Sequence, residues 1–177
     1  MEQNLSAQDF INKFIIKDIK PIVNKRPYLA FILLSASIEF LGKCLNKAND
    51  WQQPGNSEYD FCHAIQTFAS FKKYKNAFGK STKVKNHNDV CQNSLYKELR
   101  CAMVHAMQPS SKIRLTKDRN DLANHIIGCK ELFEDVVAAC KEIKSMTISK
   151  NVTVSINGDI TGTTSTSIVR QQSYPNK

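Results

Sequence analysis

From Ser6 to Ile143 the apolar residues recur at helical spacing, and only after Met146 does the pattern turn to alternation. Phe10, Ile11, Phe14, Ile15 and Ile19 make the first stripe, opened by Ser6 and Asp9 as a capping pair and stopped by Pro21. Pro27 then suits the first turn of a longer helix reaching Lys47, apolar on nearly every side through Leu29, Phe31, Ile32, Leu33, Leu34, Ile38, Phe40, Leu41 and Leu45. Such a helix belongs at the centre of a bundle. Its greasiest run, Pro27 to Ile38, is broken by Ser35 and Ser37 and falls short of the roughly 20 residues that span a bilayer.

After a loop marked by Trp51, Pro54, Gly55 and Asn56, the stripe Phe61, Ile65, Phe68 and Phe71 predicts a helix from Ser57 to Ala77. Asn88 suits the cap of a helix over Asp89 to Met107, ended by Pro109. A basic link follows, and a last long helix carries Leu122, Ile126, Cys129, Phe133, Val136, Val137, Cys140 and Ile143 on one seam. Beyond it, Val152, Val154 and Ile156 alternate with Thr153 and Ser155, Asn157-Gly158 suits a type I′ turn, and Asp159 to Thr166 is the expected return strand, with Arg170 to Lys177 a frayed tail. The expected fold is all-α, a bundle of about five helices with a short C-terminal β-hairpin. It divides into a helical bundle over 1–146 and a hairpin with a flexible tail over 147–177.

Lys and Arg total 25 against 16 Asp and Glu, a net charge of +9, which favours RNA or another nucleic acid as partner over a membrane. The charge is densest at Lys72, Lys73, Lys75, Lys80, Lys83 and Lys85, a run with Tyr74 and Phe78 interleaved that suits a phosphate backbone as well as it suits a solvated loop. Lys112, Arg114, Lys117 and Arg119 add to the same field. The six cysteines show no C-x-x-C pair, and Met1 to Asp9 is polar rather than a secretory leader. Reduced thiols without disulfides and a cytoplasmic location are therefore expected. No cofactor or metal is expected: His87 and Cys91 lack the further ligands a zinc site needs. His63 and His125 read as surface or packing residues. Glu39 is the acid within the apolar helix, and a buried carboxylate requires a partner, either an arginine such as Arg100 or local amides.

Chemistry concentrates in Leu95 to His105, LYKELRCAMVH. On an α-helix, five residues rotate Arg100 and His105 about 140° apart, onto opposite shoulders of a stripe of Leu95, Leu99, Ala102, Met103 and Ala106. Arginine is a permanent cation with a fork suited to phosphate oxygens, and histidine takes and returns a proton near neutral pH. Both also have structural roles open to them: Arg100 as partner of Glu98 or a carboxylate on another helix, His105 as a cation at a helix C-terminus.

The segment resembles the R-x4-6-H signature of the HEPN (higher eukaryotes and prokaryotes nucleotide-binding) family of small helical bundles, and the likeness takes in Leu5 to Met146, including Ser37 to Leu41. The resemblance implies a metal-independent endoribonuclease in a defence or toxin system. In it Arg100 would hold the scissile phosphate, His105 would move a proton, and a homodimer would bring Arg100 of each chain to His105 of the other. One residue departs from the family: Cys101 stands where catalytic members commonly carry Asn, Asp or His. That departure fits a second expectation, a non-catalytic HEPN-like module binding nucleic acid or a protein partner. The hairpin offers a third, partner recruitment by strand addition.

Overall fold

The central helix expected from the apolar run is α3 (Pro27–Leu45), whose Ala30, Phe31, Leu34, Ile38 and Leu41 are buried. The structure, a computed structural model, describes residues 7–45, 56–79, 93–145, 151–154 and 168–171, and these are mostly helical. Against α3 pack α4 (Ser57–Thr67) and α7 (Cys129–Ser145). Length and composition alone would let α3 cross a membrane, yet 56% of its most apolar window is buried within the fold, as befits a core helix. The approach of α3 to α4 is close enough to demand a glycine. A Cβ on Gly42 would lie 1.7 Å from the carbonyl oxygen of Asp60.

The first helical stretch runs α1 (Ala7–Phe10), a π-helical segment Ile11–Asp18, and α2 (Ile19–Lys25). Its buried residues, Ile11, Ile15, Ile19 and Val23, fall every fourth position. In an α-helix four residues overshoot a turn by about 40°, so such a stripe would wind off the core. The wider i→i+5 turns rotate it back, which keeps all four under the bundle. They also explain why Pro21 does not end the helix as its type predicts: its ring would clash with the carbonyl four residues back in a regular α-helix, and the widened turns before it open that space.

The helix expected from Ser57 to Ala77 is broken. Phe68 is extended and buried, a 3-10 turn follows at Ala69–Phe71, and α5 (Lys72–Phe78) resumes. The cause lies far along the chain. The Glu142 carboxylate accepts the N–H groups of Ala69 at 2.9 Å and Ser70 at 3.1 Å, and this tether to α7 leaves no mark at residues 57–77. The basic link also differs from expectation: β1 (Arg114–Thr116) pairs in parallel with β2 (Ile126–Gly128), so Ile126 is in a strand, Leu122 in a 3-10 turn, and α7 starts at Cys129. Asn120 pins this crossover, accepting the Gly128 N–H at 2.7 Å and donating to the Tyr74 hydroxyl at 3.0 Å, which itself donates to Asp135 at 2.8 Å.

The C-terminal strands are β3 (Asn151–Val154) and β4 (Ile168–Gln171), antiparallel with Val154 opposite Ile168. Arg170, expected in a frayed tail, is in β4, and the expected return stretch Asp159 to Thr166 lies outside the described residues. The Asn157-Gly158 turn, Trp51 and the Asn88 cap lie outside the described residues. Cys44, Cys101, Cys129 and Cys140 are free, and burial pushes the Cys129 thiol up to about 11 and the Cys140 thiol up to about 12, so both serve as small apolar groups. The expectation of reduced thiols throughout fails at Cys62, which is disulfide-bonded; spacing in sequence does not report which cysteines meet in space.

Gly42→Ala should destabilise the protein by about 2 kcal/mol or more, because the clash is with backbone and α3 must part from α4. Urea unfolding of the two proteins measures this; equal midpoints would contradict the close crossing.

Candidate functional site

The motif helix is fixed at its start by Asn93, a buried residue whose side-chain oxygen accepts the N–H of Leu95 at 3.0 Å. Asn93 also bridges to Gly79 through the backbone, and the Ser94 hydroxyl donates to the Phe78 carbonyl at 3.3 Å. The end of α5 and the start of the motif helix are thus joined. Leu95, Leu99 and Met103 are buried and anchor the helix to the core, whereas Ala102 is half-buried and Ala106 is exposed, so the stripe is narrower than expected.

Tyr96–Cys101 is π-helical and α6 (Ala102–Ala106) follows. The π register matters for chemistry because it closes a turn with i→i+5 bonds, bringing residues five apart toward one face. Tyr96 and Cys101 are such a pair, and the Cys101 thiol acts on the Tyr96 hydroxyl, holding its pKa up. The widening ends at Cys101, and from Ala102 to His105 the chain is α-helical.

Arg100 reaches α3. Its Nε–H donates to Oε2 of Glu39 at 2.8 Å, while Nζ of Lys43 sits 3.2 Å from the other oxygen, Oε1. The guanidinium carbon lies 5.7 Å from the centre of the Tyr96 ring, within cation–π range. Of the two acids weighed for Arg100, Glu39 takes it; Glu98 faces Lys112 at 3.9 Å. Only Nε is engaged in this way: among the described residues the N–H groups on the two Nη atoms have no protein acceptor, and the side chain is 18% exposed. The outer edge of a guanidinium so held has the geometry that suits an anion.

His105 is exposed in the last turn of α6, which Met107 closes in the left-handed conformation at φ 54°. The Tyr28 hydroxyl donates to the Met107 carbonyl and joins this turn to the start of α3. Val104 and Met107 flank His105 along the chain and Tyr28 reaches the Met107 carbonyl; with Leu29, next to Tyr28 in sequence, these are the exposed large hydrophobics among the described residues.

The lysine run divides. Lys72 and Lys75 are exposed on α5, but Lys73 is held 2.7 Å from Asp135 and 3.9 Å from Glu131, and Lys80, Lys83 and Lys85 lie outside the described residues, as do His87 and Cys91. Arg114, Lys117 and Arg119 are exposed on the β1–β2 crossover, where Asp118 pairs with Lys130 at 2.6 Å. His125 is exposed, with its ring against that of Phe78 at 5.3 Å between centres. Sequence reasoning missed Lys43 and Tyr96. The signal was there, since Glu39–Lys43 and Tyr96–Arg100 are both i,i+4 pairs. Set against family models, curated proteins and solved structures, the chain matches none.

Burial first, then the hydrogen bond to Cys101, pushes the Tyr96 phenol up to about 12. With the folded value raised above the unfolded value of about 10, its contribution to stability is complete below that pH and fades as the phenol ionises toward about 12. Ultraviolet difference titration of wild type against Tyr96→Phe should show this late step, and Cys101→Ala should move it part of the way back toward 10. A Tyr96 step at the ordinary tyrosine value would contradict the geometry.

Proposed function

We propose that the protein is a HEPN-like, metal-independent endoribonuclease acting as a homodimer. What supports this reading is the state of Arg100: a guanidinium held at Nε by a buried carboxylate, within cation–π range of an aromatic ring, with its Nη edge unspent among the described residues and the side chain partly open to solvent. That edge fits two oxygens of a phosphodiester. His105, exposed on the same helix, takes the proton of an attacking 2′-hydroxyl or gives one to the departing 5′-oxygen. The 2′-oxygen bonds to phosphorus as the bond to the 5′-oxygen breaks, leaving a cyclic phosphate and a 5′-hydroxyl. Arg100 offsets the charge that develops on the phosphate oxygens. The apolar side chains beside His105 support a two-fold contact there, which would set Arg100 of each chain against His105 of its partner. Lys72, Lys75, Arg114, Lys117 and Arg119, exposed and without an acidic partner among the described residues, supply positive charge for the rest of the strand.

A second reading, a non-catalytic module that binds nucleic acid or a protein, is favoured by Cys101. The residue beside Arg100 is a thiol facing the Tyr96 hydroxyl, not a carboxamide or carboxylate ready to meet substrate.

Labelled RNA in chelator-containing buffer separates the two. The ribonuclease reading expects cleavage that falls by about a hundredfold or more in His105→Ala and in Arg100→Ala. Mixed Arg100→Ala and His105→Ala chains should regain part of it by restoring one composite site. Binding without cleavage supports the second reading, and a strictly monomeric mass in light scattering excludes the composite site.

A further inference from the structure

The two oxygens of Glu39 are divided between two cations, and this bears on what Arg100 has left to offer. A carboxylate facing an arginine alone commonly forms the two-bond fork, with Nε and one Nη each on its own oxygen. Here Nε alone is engaged, at 2.8 Å from Oε2, and Oε1 turns to Lys43 at 3.2 Å. Lys43 is one turn along α3 from Glu39 and its side chain is 30% exposed, so it serves the carboxylate from the solvent side. The Tyr96 ring, its centre 5.7 Å from the guanidinium carbon, adds a cation–π attraction without taking a hydrogen bond. Were Oε1 free, the carboxylate would rotate into the arginine plane and close the fork, taking one Nη out of use.

We infer that Lys43 is a positioning residue: by holding Oε1 of Glu39 it keeps Arg100 in a single-bonded state with both Nη atoms available to a phosphate. The inference rests on the nucleic-acid reading above and names how its arginine is kept competent. Lys43 touches no reacting atom. It acts through Glu39, and the dependence runs in a direction that simple stability does not: removing the lysine strengthens the Glu39–Arg100 pair while weakening the hold on an outside anion.

The test uses the full chain and a fluorescein-labelled 2′-O-methyl RNA, which presents phosphates but has no 2′-hydroxyl to attack them. Lys43→Met, which keeps the aliphatic stem, should bind this probe at least about tenfold more weakly, the scale of a lost charge-assisted contact. Lys43→Arg should restore binding. In an Arg100→Ala background Lys43→Met should have no further effect, because there is no fork left to protect. Equal affinity of Lys43→Met and wild type overturns the inference, and so does an equal loss in both backgrounds, which would make Lys43 a phosphate contact in its own right. If wild type does not bind the probe, the nucleic-acid reading falls, and the fork is read alone from the nitrogen-15 spectrum of the arginine side chain. Slower proton exchange at Arg100 Nη in Lys43→Met than in wild type upholds it, and identical exchange refutes it.

Discussion

A carboxylate inside an apolar helix must be met by positive charge or hydrogen-bond donors, because an uncompensated buried charge costs more than a small domain has to spare. Glu39 imposes that condition here. It stands in α3, the helix against which α4 and α7 pack, and it is answered from the motif helix by Arg100 and from its own helix by Lys43. The bond from Arg100 to Glu39 therefore ties the segment that carries the candidate chemistry to the centre of the fold. Leu95, Leu99 and Met103, all buried, tie it apolarly along the same side.

This tie also separates the two residues of the motif. Arg100 is drawn inward and stacked, while His105, one turn on, stays at the surface among side chains that the fold leaves uncovered. A phosphate group that used both would have to bridge a recessed fork and an exposed imidazole, or take them from two copies of the chain. The wide turns from Tyr96 to Cys101 enter the same geometry. They let Tyr96 contact both Arg100 and Cys101, which residues four and five apart do not share on a regular helix.

Much of the fold was written in local pattern. The apolar circumference of α3 predicted a core helix, and its lone acid called for a partner, an arginine such as Arg100 or local amides, of which Arg100 is the one found. What escaped the pattern is what distant groups impose. The break at Phe68 depends on Glu142, and the parallel strands at Arg114–Thr116 and Ile126–Gly128 depend on Asn120 and on a close pass of the backbone over Gly128. Pro21 misled because its clash is relieved by a widened helix that residue type does not announce. At the site, the motif spacing was legible and the pairing of Glu39 with Lys43 was readable as i,i+4, but the single-bonded state of Arg100 needed three-dimensional geometry to be seen.

The central claim is that Arg100 is an anion fork anchored at Nε and open at Nη. Nitrogen-15 spectra of arginine-labelled protein, with Arg100 assigned by its loss in Arg100→Lys, measure this directly as inorganic phosphate and then 2′-O-methyl RNA are titrated in. The fork predicts that the Arg100 Nη signals shift and their protons exchange more slowly, while the Nε signal stays near its starting position because the bond to Glu39 persists. Contradiction would be an Arg100 side chain unmoved at saturating RNA, or an Nε signal that moves with the ligand as the bond to Glu39 breaks.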